Sequence, residues 1–99
     1  MSYKKSANDV LNFYSKTLNT TSRNLDSYFN CIVELILNCQ GRTVVSGIGK
    51  SGLVGQKMVA TFASTGTPSF FLHPTEAFHG DLGMLKPSDV VILISYSGL

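Results

Sequence analysis

An α/β fold is expected of this chain, a three-layer open parallel sheet with flanking helices, Rossmann-like in its layout. The expectation rests on three features. Short runs of β-branched and apolar residues at 43–46, 69–72 and 89–94 are separated by helical or connecting segments. The last of them, Val90-Val91-Ile92-Leu93-Ile94, shows no polar alternation, as suits a parallel strand covered on both faces. Each run ends on glycines, serines or a histidine, at the carboxyl edge where open sheets of this kind collect ligands.

Two helices precede the first strand. Ser6 followed by Asp9 resembles a capping box, and Ala7, Val10, Leu11, Tyr14 and Leu18 then recur at helical spacing. The polar run 19–24 is expected to break that helix. Leu25, Tyr28, Phe29, Ile32, Leu35 and Ile36 resume the period until Gly41 supplies a stop. A strand over 43–46 leads into a glycine cluster, and a helix over 51–64 follows with Val54, Met58 and Phe62 at every fourth position. Gly66 fits the left-handed position that closes a helix. A second strand spans 69–72, a loop or short helix runs from 74 to 86, and the third strand completes the pattern.

Composition bounds the function. With 99 residues, 43% hydrophobic, 14% charged and a net charge of +2, the chain is one globular domain at most, and disorder is excluded. No apolar run approaches the ~20 residues of a membrane span, and no secretory signal opens the chain, so a cytoplasmic protein without membrane contact is expected. The scattered basic residues argue against a nucleic-acid partner. Cys31 and Cys39 match neither a zinc nor a redox spacing and are read as buried free thiols. The chain ends five residues after its most hydrophobic strand, with no helix to cover it, which predicts an incomplete domain truncated after the third strand.

Gly47-Ile48-Gly49-Lys50-Ser51-Gly52 satisfies G-x-G-x-x-G between a strand and a helix, where backbone amides and the helix dipole attract an anion. A Walker A loop would need glycine where Val44 stands, and a dinucleotide site would want an acidic residue where His73 stands. The remaining alternatives are an anion loop that includes Ser51 and a glycine-rich turn kept for close helix packing. Ser95-Tyr96-Ser97-Gly98 offers two hydroxyls on the same sheet edge, either as phosphate donors or as an ordinary polar turn. His73 and His79, with Glu76 and Asp81, bring imidazole and carboxylate to the second strand end, although their spacing fits no standard metal motif. Lys50 places a cation where the helix dipole disfavours one, which suggests a neighbouring anion.

These segments, with Ala63-Ser64-Thr65-Gly66-Thr67-Pro68-Ser69-Phe70-Phe71, His73-Pro74 and Glu76 through Met84, resemble the sugar isomerase (SIS) domain of bacterial arabinose 5-phosphate isomerases. The resemblance runs from about residue 41 to 98. It implies an SIS-type sheet and an aldose–ketose isomerisation between ribulose 5-phosphate and arabinose 5-phosphate, supplying the sugar acid of lipopolysaccharide. By the same resemblance Lys50 is catalytic, Gly66, Thr67, His73 and His79 contact substrate, Ser95 and Ser97 join Ser51 on the phosphate, and His73 also contacts a metal. No cofactor is required, with zinc at His73 an accessory. The implied organisation is a helical pair over 1–40 and the first part of the isomerase domain over 41–99.

An enediolate route needs a base and an electrophile for the oxyanion, and Lys50 suits the second role. In the family the glutamates and a further histidine of catalysis lie downstream, and Leu99 stands where a polar residue usually follows the serine loop. This chain alone is therefore expected to be inactive. The alternative is a noncatalytic sugar phosphate-binding regulatory domain. Each uncovered aliphatic of the third strand forfeits about 1.5–3 kcal/mol, so self-association, as a homo-oligomer, is expected.

Overall fold

The computed structural model describes residues 2–98, the side chain of Asp81 excepted. The chain divides into two compact units, Met1–Ile32 and Val33–Leu99.

In the first unit, α1 (Tyr3–Asn24) starts on Ser2, whose Oγ accepts the Lys5 amide at 3.2 Å. The helix thus begins one turn before the capping box expected at Ser6. Asp9 instead pairs with Lys5 at 3.2 Å, and the Ser6 hydroxyl donates to the Ser2 carbonyl. Residues 19–24 do not break the helix. The hydroxyls of Thr17, Thr20 and Thr21 donate to carbonyls four residues back at 3.0, 3.1 and 2.9 Å, so these side chains do not compete for the backbone of a turn. α2 (Ser27–Leu37) begins after Asp26, whose carboxylate accepts the Tyr28 amide at 2.9 Å. Cys31 is a free thiol and is exposed, contrary to the expected burial, because no buried residue lies on α2.

In the second unit, β1 (Thr43–Gly47) lies between β2 (Ser69–Phe71) and β3 (Val90–Ile94), all parallel, as expected. The register sets Val45 between Phe71 and Ile92, and Gly47 beside Ile94. β1 is buried along its whole length, and Val44 and Val45 are fully enclosed. α3 (Lys50–Ser64) packs on the Val45 face, but not through Val54, Met58 and Phe62. Gly52 and Gly55 are its buried residues, and a Cβ on Gly55 would stand 3.0 Å from the Phe71 ring and 3.1 Å from Val45. Val54, Met58 and Phe62 line a shallow outer groove instead.

α3 closes as the sequence suggests. Gly66 adopts φ +95°, and the Thr67 amide reaches back to the Phe62 carbonyl at 2.8 Å, the longer bond of a Schellman motif. α4 (Pro74–Phe78) and a 3-10 turn (Asp81–Met84) lead to β3. β3 is not covered on both faces. Val91 and Leu93 are 44% and 77% exposed, because α3 occupies only the face that alternation gives to Val90, Ile92 and Ile94.

The amino edge of the sheet is tied by Asp89. Its nearly inaccessible carboxylate accepts the amides of Arg42 at 2.8 Å and Lys86 at 2.9 Å, with the Arg42 guanidinium 4.0 Å away. These donors hold its carboxyl below the ordinary aspartate range, the Arg42 amide contributing most. Gly41 is needed here rather than as the stop of α2, which ends at Leu37; a Cβ on Gly41 would collide with the Asp89 carboxylate. Cys39 is half-buried, its thiol donating to the Ser88 carbonyl at 3.3 Å.

One polar atom of the core is unpaired among the described residues, the Thr43 hydroxyl. A buried hydroxyl without a partner costs about 1–3 kcal/mol, so Thr43→Val should leave stability unchanged or raise it by about 1 kcal/mol in urea unfolding. A clear loss would show that the hydroxyl has a partner in solution.

Candidate functional site

Parallel pairing brings the loops after β1 and β3 to one edge. Gly47 permits their close approach, since a Cβ there would lie 3.1 Å from the Ile94 carbonyl oxygen and 3.2 Å from the Gly52 amide. Gly49 turns the chain into α3 with φ +63° and ψ −128°, a conformation open to glycine and strained for other residues. A Cβ on Gly52 would stand 2.7 Å from the Gly47 carbonyl oxygen. The glycine pattern therefore serves helix packing, and by the same contacts it presents the start of α3 at the sheet edge. The first intrahelical donor recorded there is the Leu53 amide, bonded to the Gly49 carbonyl at 3.2 Å, which leaves the preceding turn of amides for an anion.

A cavity of about 780 Å³ opens at this edge. Ser51, Ser95 and Ser97 all line it, together with Ser46, Gly47 and Tyr96. The Ser95 hydroxyl accepts the Gly98 amide at 2.9 Å, and Gly98 sits at φ +76°, so the serine loop is folded on itself. With that lone pair engaged, the Ser95 O–H can donate into the cavity. Among the described residues no ionised side chain lines the cavity. Its far wall is apolar, with Leu72, Phe78, Leu82, Val91 and Leu93. The sequence predicts a β3 that lacks a covering helix here, and its exposed Val91 and Leu93 supply part of this wall.

The other predicted residues lie elsewhere. Lys50 opens α3 and is exposed, but it does not line the cavity. Gly66 and Thr67 precede β2 and so belong to the opposite, amino edge of the parallel sheet. His73 and His79 bracket α4. The His73 Nδ1 accepts the Thr75 amide at 3.2 Å as the N-cap, and the His79 amide bonds the Glu76 carbonyl at 3.0 Å at the other end. Both rings are exposed, and neither lines the cavity.

The cap bears on a metal at His73. With Nδ1 accepting, the neutral ring carries its proton on Nε2, and a metal at either nitrogen has to displace one of the two arrangements. Zinc takes four ligands, and among the described residues no cluster of three or more metal-ligating side chains exists. Leu99, the departure from the serine-loop pattern, lies outside the described residues.

Comparison with known proteins gives a consistent picture. A model described as the SIS domain matches residues 36–99. The chain is 67% identical over 98 residues to a Haemophilus influenzae protein named "Probable arabinose 5-phosphate isomerase", a match that covers 99% of this chain and 29% of that protein. It is 60% identical over 85 residues to an arabinose 5-phosphate isomerase KpsF of Escherichia coli, covering 85% of this chain and 26% of the relative. A solved structure from E. coli CFT073, in complex with arabinose 5-phosphate, superposes with a TM-score of 0.77 at 46% identity, over 96% of this chain and 52% of that one. The chain thus spans less than a third of the curated relatives it matches and about half of the solved chain.

Proposed function

Because the chain belongs to the SIS domain family, we propose that it carries the phosphate-binding corner of a sugar phosphate isomerase, one that interconverts arabinose 5-phosphate and ribulose 5-phosphate in lipopolysaccharide or capsule synthesis. One observation carries the reading: Ser51, Ser95 and Ser97 meet at a single cavity beside the start of α3. Three hydroxyls and a turn of backbone amides match the several acceptor oxygens of a phosphate monoester.

Moving a proton between adjacent carbons requires a base and a group that stabilises the enediolate oxygen. Lys50 is assigned the second role. Among the described residues the cavity wall offers hydroxyls but no carboxylate, imidazole or amine, which supports the reading that this chain by itself binds the sugar phosphate without turning it over. Zinc at His73 would need donors from outside the described residues, and no step runs through it. Substrate contacts by Gly66, Thr67 and His79 are assigned to the complete assembly, a homo-oligomer in this reading. The enzyme is placed in the cytoplasm; no helix of the described residues is long and apolar enough to cross a membrane.

Calorimetric titration with arabinose 5-phosphate tests the site. Ser51→Ala, Ser95→Ala and Ser97→Ala should each weaken binding about 10–100-fold, the worth of one hydrogen bond to a charged group. Unchanged affinity in the double variant Ser51→Ala/Ser97→Ala, or no binding by the native chain, overturns the assignment. Formation of ribulose 5-phosphate well above a Lys50→Ala control overturns the inactivity.

A further inference from the structure

Arg42 immediately precedes β1 at the amino edge of the sheet, whereas the cavity opens at the carboxyl edge. Alternation with Val44 and Ser46 sends its side chain to the face that carries Phe70, Val91 and Leu93, the one α3 leaves open. There the guanidinium lies over the Phe70 ring, 4.3 Å from its centroid, and Nη2 donates to the Met84 carbonyl at 3.0 Å. Met84 ends the 3-10 turn, where the last carbonyls lack partners within the helix.

That bond joins two parts that little else joins. Residues 74–85 belong to the connection from β2 back to β3, and its Ala77, Phe78, Leu82 and Leu85 line the cavity across from Val91 and Leu93 of the sheet. Among the described residues, the other hydrogen bonds of 74–85 close within 73–85. Asp89 anchors the connection at the Lys86 amide, past its last cavity residue, and Arg42 reaches into the turn itself.

We propose that Arg42 is a positioning residue for the ligand: by holding the Met84 carbonyl it sets how far the connection stands from the sheet, and so the width of the cavity beside the phosphate corner. The inference rests on the sugar phosphate reading above and extends it to a residue that touches no ligand. The Arg42 backbone amide bonds Asp89 whatever the side chain, so a substitution leaves the sheet edge tied and frees only the connection. The phosphate corner, built from β1, α3 and the loop after β3, stays in place. What shifts is the wall that faces the rest of the sugar.

Arg42→Met keeps an apolar stem over Phe70 and removes the donors. In hydrogen exchange read by mass spectrometry, residues 74–85 should exchange about 10-fold faster or more, with β1 and β3 unchanged. In titrations, affinity for arabinose 5-phosphate should fall about 10-fold, while that for inorganic phosphate, which fills only the corner, should stay within about twofold. Arg42→Lys, whose cation can still reach the carbonyl, should recover most of both effects; no recovery assigns the effect to packing and overturns the proposal. Equal losses for the two ligands, or faster exchange throughout the sheet, reveal general damage to the fold and also overturn it. So does unchanged exchange of 74–85 or unchanged affinity for the sugar phosphate. A native chain that binds neither ligand defeats the sugar phosphate reading, and exchange, which uses no ligand, then decides the tether alone. Should Arg42→Met fail to fold, Arg42→Gln, polar beside Asp89 but too short to reach Met84, takes its place with the same expected results.

Discussion

Gly52→Ala should destabilise the second unit by about 3 kcal/mol and abolish measurable binding of arabinose 5-phosphate. The added methyl would stand 2.7 Å from the Gly47 carbonyl oxygen, a backbone atom of the central strand, and its own backbone belongs to α3. Neither partner yields cheaply. Relief requires α3 to lift from β1, and that movement carries Ser51 away from Ser95 and Ser97. Gly55→Ala provides the internal comparison, since its methyl meets the Phe71 ring, a side chain that can turn, and the loss should be smaller. Denaturant midpoints for the two variants check the ordering. A Gly52→Ala protein that unfolds with the native chain would show that the helix and strand are not in contact there.

Asp89→Ala should lower the melting temperature by on the order of 5 °C and remove part of the acid sensitivity of the fold. The carboxylate accepts two backbone amides that join the segments before β1 and β3, and the substitution leaves both donors without it. The sign of the pH effect follows from the direction of its shift. The folded-state pKa is depressed, so the contribution is fully present above the ordinary aspartate value of about 3.9 and is lost as pH falls through the lower folded value. Thermal melts of both proteins from pH 7 to pH 2 should therefore converge at the acid end. Parallel curves across that range would show that Asp89 does not titrate with unfolding.

Much of the second unit was legible from local pattern. Three short apolar runs bounded by glycine and polar residues became three parallel strands, and Gly66 became a left-handed helix terminus because few other residues reach that conformation cheaply. The serine and glycine loops at one edge also followed from topology, since parallel strands carry all their carboxyl ends to the same side. The packing face of α3 was not legible. Periodicity marks where apolar side chains recur, but here the contact is made by two glycines, whose value lies in an absent side chain. α1 extended past its expected end because threonine, a poor helix former by propensity, bonded back to its own helix. The positions of Lys50, Gly66, Thr67, His73 and His79 relative to the cavity depend on tertiary geometry that spacing along the chain does not encode.

The lining of the cavity is neutral among the described residues, and this bears on how a ligand would come and go. Hydroxyls and backbone amides act over a few ångströms and only along defined directions, whereas a lysine or arginine cluster would pull anions from a distance through a field that salt screens. A pocket of this kind discriminates by the shape of the oxyanion and holds it without a counter-charge. Affinity there should change little with ionic strength, and departure does not require an ion pair to be broken.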